Sequence, residues 1–220
     1  RISPNNNEVA YLNIGIILGE QGKYEEAVEF YRGLLDMFPD NLKVTVNLAD
    51  SLEELGRAEE AIFFYEKALR TAQEEPTADI HCRLGAVLAK NGRVNDGIDH
   101  FMEALRTKPD NPVVRFDLAL VYFYAGRISN AAREMSRVLQ VNPFHESAHY
   151  YYGNILVRQE KLKDAMKEYK TALRINPGLS EAQQNLDAAM AREAALIKAI
   201  GETRAKVASS RRDPAVYETL

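Results

Sequence analysis

Tryptophan is absent from the 220 residues, and cysteine occurs once, at Cys82. A lone thiol rules out an internal disulfide and fits a reducing compartment. No run of 18 apolar residues occurs, so no transmembrane helix is expected, and no secretory signal is read at the start. These absences lead us to expect a soluble, cytoplasmic chain. An excess of basic residues is also missing. There are 28 Lys and Arg against 32 Asp and Glu, a formal charge of −4. Phosphate backbones need clustered cations, so nucleic acid is not expected as a partner. The sequence holds no phosphate-binding G-x-x-x-x-G-K-[ST] loop, no G-x-S-x-G elbow and no paired cysteine. No cofactor is expected.

What the chain does have is a repeat of about 34 residues. A small residue returns as Gly15, Ala49, Gly85, Ala119 and Gly153, and a proline as Pro39, Pro109, Pro143 and Pro177. In the first unit Tyr11, Ile14, Gly15 and Leu18 fall on one side of a helix. Gly22 marks a turn. Tyr24, Ala27, Tyr31, Leu34 and Leu35 form a second helical stripe, which Pro39 ends because it lacks an N–H. The pairs Ala61/Tyr65, Gly97/Phe101, Ala131/Met135 and Ala165/Tyr169 repeat the second helix, and Glu160 replaces the turn glycine in the fifth unit.

This pattern resembles the tetratricopeptide repeat family over about residues 8 to 190. The resemblance implies an all-α, right-handed α-solenoid superhelix of helix–turn–helix repeats, with its first helices lining a concave face. Five repeats are expected at 8–41, 42–75, 78–111, 112–145 and 146–179. Residues 1–7 read as the end of a preceding repeat or a linker, 180–208 as a capping helix begun by Ser180, and 209–220 as a flexible tail. The insertion at Glu74-Glu75-Pro76-Thr77 reads as a longer loop, and the whole as one quasi-linear array.

The implied function is a scaffold or adaptor that binds a peptide or helix of a partner protein, with no enzymatic activity. Carried onto this chain, the concave face offers Asn13 and Asn47 in one register, with Arg83 interrupting that ladder. Asn185 matches them on the capping helix. Asp50, Cys82, Ala86, Lys90 and Asp117 line the same side. The fourth and fifth units add Phe116, Leu120, Phe123, Tyr124, Tyr150, Tyr151, Asn154 and Arg158. Aromatic residues on a second arc beside a core stripe suggest a binding surface. The family's carboxylate clamp for chaperone tails does not transfer. Asn47 and Arg83 fit two of its places, but Leu12, Ile16 and Asp79 occupy others.

Two alternatives stand beside this reading. One is self-assembly through the ends of the stack, including a homo-oligomer formed through the C-terminal helix, where Leu186, Met190, Ile197, Ile200 and Val207 continue an apolar stripe. The other is zinc-dependent hydrolysis. His145-Glu146-Ser147-Ala148-His149 matches H-E-x-x-H, in which two histidines four apart on a helix hold zinc. A third protein ligand is missing, with Glu168 the nearest candidate, so no metal is expected.

Overall fold

The computed structural model describes residues 4–72 and 77–210. Among them lie eleven α-helices and no strand. They are α1 (Pro4–Glu20), α2 (Tyr24–Met37), α3 (Leu42–Glu54), α4 (Ala58–Thr71), α5 (Ala78–Lys90), α6 (Val94–Thr107), α7 (Pro112–Tyr124), α8 (Ile128–Val141), α9 (Glu146–Arg158), α10 (Leu162–Ile175) and α11 (Ser180–Ser210). Odd-numbered helices up to α9 are the first helices of the five units.

Punctuation in the sequence accounts for these boundaries. Gly22, Gly56, Gly92 and Gly126 all have φ between 72° and 83°, a left-handed turn that glycine adopts without strain. Glu160 holds the same place at φ 61° and is the one non-glycine residue with positive φ among the described residues. Helices α2, α6, α8 and α10 each end two residues before their proline. Asn41 caps α3, its Oδ1 accepting from the Val44 N–H at 2.9 Å. Asn111 caps α7 in the same way, receiving the N–H groups of Val113 and Val114.

Three expectations are adjusted. Helix α1 starts at Pro4, inside the stretch read as a linker, because proline suits the first turn of a helix. Ser180 is the first residue of α11 and not its cap, since Leu179 holds the register of Asn41 and Asn111. The chain also divides into two compact units, residues 1–125 and 126–220, with the boundary between the two helices of the fourth repeat. Its turn glycine, Gly126, has the same backbone as the others, so the repeat pattern carries no mark of the division. Of the expected loop at Glu74-Glu75-Pro76-Thr77, residues 74–76 lie outside the described residues, as do residues 211–220 of the expected tail, while residues 209 and 210 belong to α11.

The first unit's core is built from Leu48, Ala49, Leu52, Ala61, Tyr65, Ala68, Leu84 and Leu88, all fully buried or nearly so. In the second unit Leu156, Ala165 and Tyr169 pack against Leu186 and Ala189 of α11, which thus caps the last repeat. Tyr31, Tyr65, Phe101, Met135 and Tyr169 fill the same register in successive repeats. Burial raises the Tyr31 and Tyr169 hydroxyls to about 12, so both stay protonated.

Candidate functional site

In the first compact unit, the first-helix side chains expected on the concave face meet across α3, α5 and α7. Asp50 on α3 is the centre of a charged cluster. Its Oδ1 accepts from the Tyr65 hydroxyl at 2.6 Å and from Arg83 Nη1 at 2.9 Å. Burial raises the Asp50 carboxyl above its ordinary range, and these two donors oppose that rise. One turn along, Lys90 Nζ reaches Glu53 at 2.7 Å. That hydrogen bond leads the upward shift of the Lys90 ammonium. Cys82 Sγ faces Asp117 Oδ2 at 3.8 Å. Burial, then the neighbouring carboxylate, pushes the Cys82 thiol up to about 12, and burial also raises Asp117.

Next to this cluster lies a cleft of about 500 Å³. Ala86 and Lys90 of α5 and Asp117, Leu120 and Tyr124 of α7 line it, with Ala89, Val94 and Phe101 behind them. Its walls are mainly apolar, and the opposite charges of Lys90 and Asp117 stand among them. Tyr124 is 72% exposed and packs edge-on to Phe123, ring centroids 5.4 Å apart. Phe116, Leu120 and Phe123 are half-buried. A concave apolar cleft with a few polar groups is the usual form of a site that seats a side chain of a partner.

The asparagines expected as a ladder have differing surroundings. Asn13 is exposed. The Asn47 amide donates to Lys43 O of its own helix at 2.8 Å. In the second compact unit Asn154 Oδ1 receives both the Tyr169 hydroxyl, at 2.7 Å, and the Asn185 amide, at 2.8 Å. Tyr150 and Tyr151 pack edge to face at 5.0 Å on the same helix, and Arg158 is exposed at its end. Helix α10 presents Lys163, Lys167, Lys170 and Arg174 along a shallow depression that the repeat pattern does not mark.

The H-E-x-x-H string takes a different form from a zinc site. His145 precedes α9 and caps it, its Nδ1 accepting from the Ala148 N–H at 3.4 Å. It holds the cap register of Asn41 and Asn111, so the two imidazoles do not share a helix face. His149 Nδ1 lies 2.6 Å from Glu168 Oε2 and its Nε2 lies 3.0 Å from Pro143 O. Both ring nitrogens thus face oxygen acceptors. Among the described residues no group of three or more His, Cys, Asp or Glu is placed to hold a metal ion.

Three residues of the cluster are not flagged as site residues by the repeat pattern. Tyr65 reads as core, Glu53 falls outside the residues expected on the concave face, and Phe101 carries no sign of a cleft. The signal that could find the charged pairs is their separation of about one repeat, as for Asp50 and Arg83.

Residues 6–74 and 116–180 both match models of the tetratricopeptide repeat. Together these stretches exceed half of the chain, which belongs to that family. Human DnaJ homolog subfamily C member 3 is 28% identical over 85 residues, 39% of this chain and 17% of that protein. The chain therefore spans less than a fifth of the length of this relative. Among solved structures, YrrB is described as a TPR protein with an unusual peptide-binding site. It matches at TM-score 0.65 and 22% identity, over 82% of this chain and 93% of that one. MamA from Desulfovibrio magneticus matches at TM-score 0.70 and 18% identity, over 78% and 96%. These likenesses show the fold class, an α-solenoid of helical repeats. Proteins of this family are interaction scaffolds, and so is this chain. No helix among the described residues is long and apolar enough to cross a membrane.

Proposed function

We propose that this repeat scaffold holds an extended peptide of a partner protein on α3, α5 and α7. One apolar side chain of the peptide sits in the cleft between Ala86, Leu120 and Tyr124. The observation that carries this reading is the cleft itself, a cavity of about 500 Å³ with apolar walls between charged groups of opposite sign. Lys90 and Asp117 then meet polar groups of the peptide backbone, and Arg83, tied to Asp50, stays a fixed part of the floor. The similar repeat protein YrrB, which has a peptide-binding site of its own, supports the same kind of ligand. The reading makes the chain a binding module and not an enzyme.

Panning a random peptide library on the whole chain tests this. Peptides recovered on the wild type are measured again on Tyr124→Ala combined with Leu120→Ala. Loss of a buried anchor contact typically costs about 2 kcal/mol, close to thirtyfold in affinity. The reading fails if the recovered peptides bind this variant as well as the wild type while its helix content is unchanged.

A further inference from the structure

Helix α11 runs to Ser210, well past the point where α10 covers it. Ala182, Leu186 and Ala189 are buried against the last repeat. The same side of the helix then continues through Met190, Glu193, Ile197, Ile200, Arg204 and Val207, at alternating steps of three and four residues. That spacing is the seam of a two-helix coiled coil. Yet Met190, Leu196, Ile197, Ile200 and Val207 are between 44% and 62% exposed. A helical extension this short is marginal in water unless its apolar face packs.

We infer that the end of α11 pairs antiparallel with α11 of a second copy of this chain. The pattern is self-complementary about the point between Lys198 and Ala199. Reversal about that point sets Ile197 opposite Ile200 of the second copy and Met190 opposite its Val207. It also sets Glu193 opposite the second copy's Arg204. Every layer is then apolar with apolar or acid with base, and symmetry makes each layer twice. A parallel pair at the same register sets Glu193 against Glu193 and Arg204 against Arg204, which repel. The pairing therefore fixes direction as well as partner. The Glu193 side chain is 22% exposed, and its 3.9 Å contact with the exposed Lys163 is a weak pair that the pairing with Arg204 of the second copy replaces.

The pairing also gives Gly201 a use. A glycine inside a helix is worth about 1 kcal/mol less than alanine there. An added Cβ at Gly201 meets nothing within 4 Å, so this chain's own packing does not require the glycine. Gly201 and Ala194 edge the seam on one side, and small residues there let a second helix approach closely.

Sedimentation of the 220-residue chain at up to about 100 µM tests the pairing. The wild type is expected at twice the chain mass of 24.8 kDa. Ile197→Asp with Ile200→Asp is expected at one chain mass with unchanged helix content up to α10. Arg204→Glu sets two acid pairs face to face and should raise the dimer dissociation constant about tenfold or more. Combining it with Glu193→Arg restores opposite charges and should return the constant to near the wild-type value. A wild type at one chain mass throughout overturns the inference and leaves the stripe to another protein. So does a dimer that survives the aspartates, or a charge swap no better than Arg204→Glu alone.

Discussion

Gly97→Ala should destabilise the first compact unit, although the repeat pattern argues the opposite. The equivalent positions of the other four repeats are Ala27, Ala61, Ala131 and Ala165. Helix propensity adds about 1 kcal/mol in favour of alanine. The obstacle is a carbonyl. A Cβ at Gly97 would stand 2.6 Å from Gly85 O, where ordinary contact begins at 3.4 Å, and a Cβ at Gly85 would stand 2.9 Å from Gly97 O. Backbone cannot swing aside as a side-chain tip can. Helices α5 and α6 must part by several tenths of an ångström, and such overpacking costs about 1–3 kcal/mol. Parting also stretches the 2.8 Å contact between His81 and His100, which spans the same two helices. With the propensity gain subtracted, we expect a net loss of up to about 2 kcal/mol. Gly33→Ala is the matched control, because Gly33 is exposed on α2 and its Cβ would meet nothing. That change should stabilise by up to about 1 kcal/mol. Urea unfolding followed by circular dichroism measures both. Gly97→Ala matching or exceeding the wild type, with Gly33→Ala behaving as expected, would refute the close-approach argument.

Further outcomes follow from single residues. Glu160→Gly should stabilise the second compact unit by about 0.5–1 kcal/mol, read as a higher melting temperature, by relieving a left-handed turn on a side chain. Burial lowers both His81 and His100 below the ordinary 6.5, so the folded state favours their neutral forms. Their contribution is whole above 6.5 and is lost as pH falls below it through the folded values, so melting temperature should drop on acidification, and less in His100→Asn. Because burial and Asp117 push the Cys82 thiol up to about 12, its alkylation at pH 8 should be at least tenfold slower than that of free cysteine, and unfolding in urea should restore the rate.

The sequence carries the fold well because each repeat states the same steric demands again. Small residues, turn glycines and terminal prolines recur in register, and the helices end where those residues say. Closeness of approach is not legible in the same way. Gly85 and Gly97 look like ordinary members of small-residue positions, and only their mutual carbonyl contacts show the third helix pair to be tighter. His145 shows the reverse error. Its neighbours suggest a metal motif, while its place in the repeat is that of the capping Asn41 and Asn111. Register outranks a short motif when the repeat is this regular. The direction of an amide is also hidden. The Asn47 amide bonds a carbonyl of its own helix, and two nearby donors hold the Asn154 oxygen.

Hydroxyl supply accompanies the apolar cleft in the middle repeats, although in the first repeat Tyr31 keeps its hydroxyl while Ile16 holds the acceptor position. Tyr65 and Tyr169 are buried with a hydroxyl that needs an acceptor, and each finds one on the residue after the small position, Asp50 and Asn154 respectively. A buried hydroxyl without that acceptor would lose about 1–3 kcal/mol. In the third repeat Phe101 replaces the tyrosine, no hydroxyl remains, and the matching first-helix residue is Ala86. In the fourth, Met135 and Leu120 hold those two positions. Polar acceptor and hydroxyl thus disappear together in consecutive repeats. The first-helix surface there becomes Ala86 and Leu120, two walls of the cleft. Ala86→Asp with Phe101→Tyr tests this by recreating the Asp50–Tyr65 pair in the third repeat. The new carboxylate should accept from the new hydroxyl, so the double variant should be more stable than Ala86→Asp alone by about 1 kcal/mol or more in urea unfolding. It should also lose the recovered peptides, because a charged group now stands in the apolar wall. A double variant no more stable than Ala86→Asp would sink the idea that these two positions are coupled through the hydroxyl.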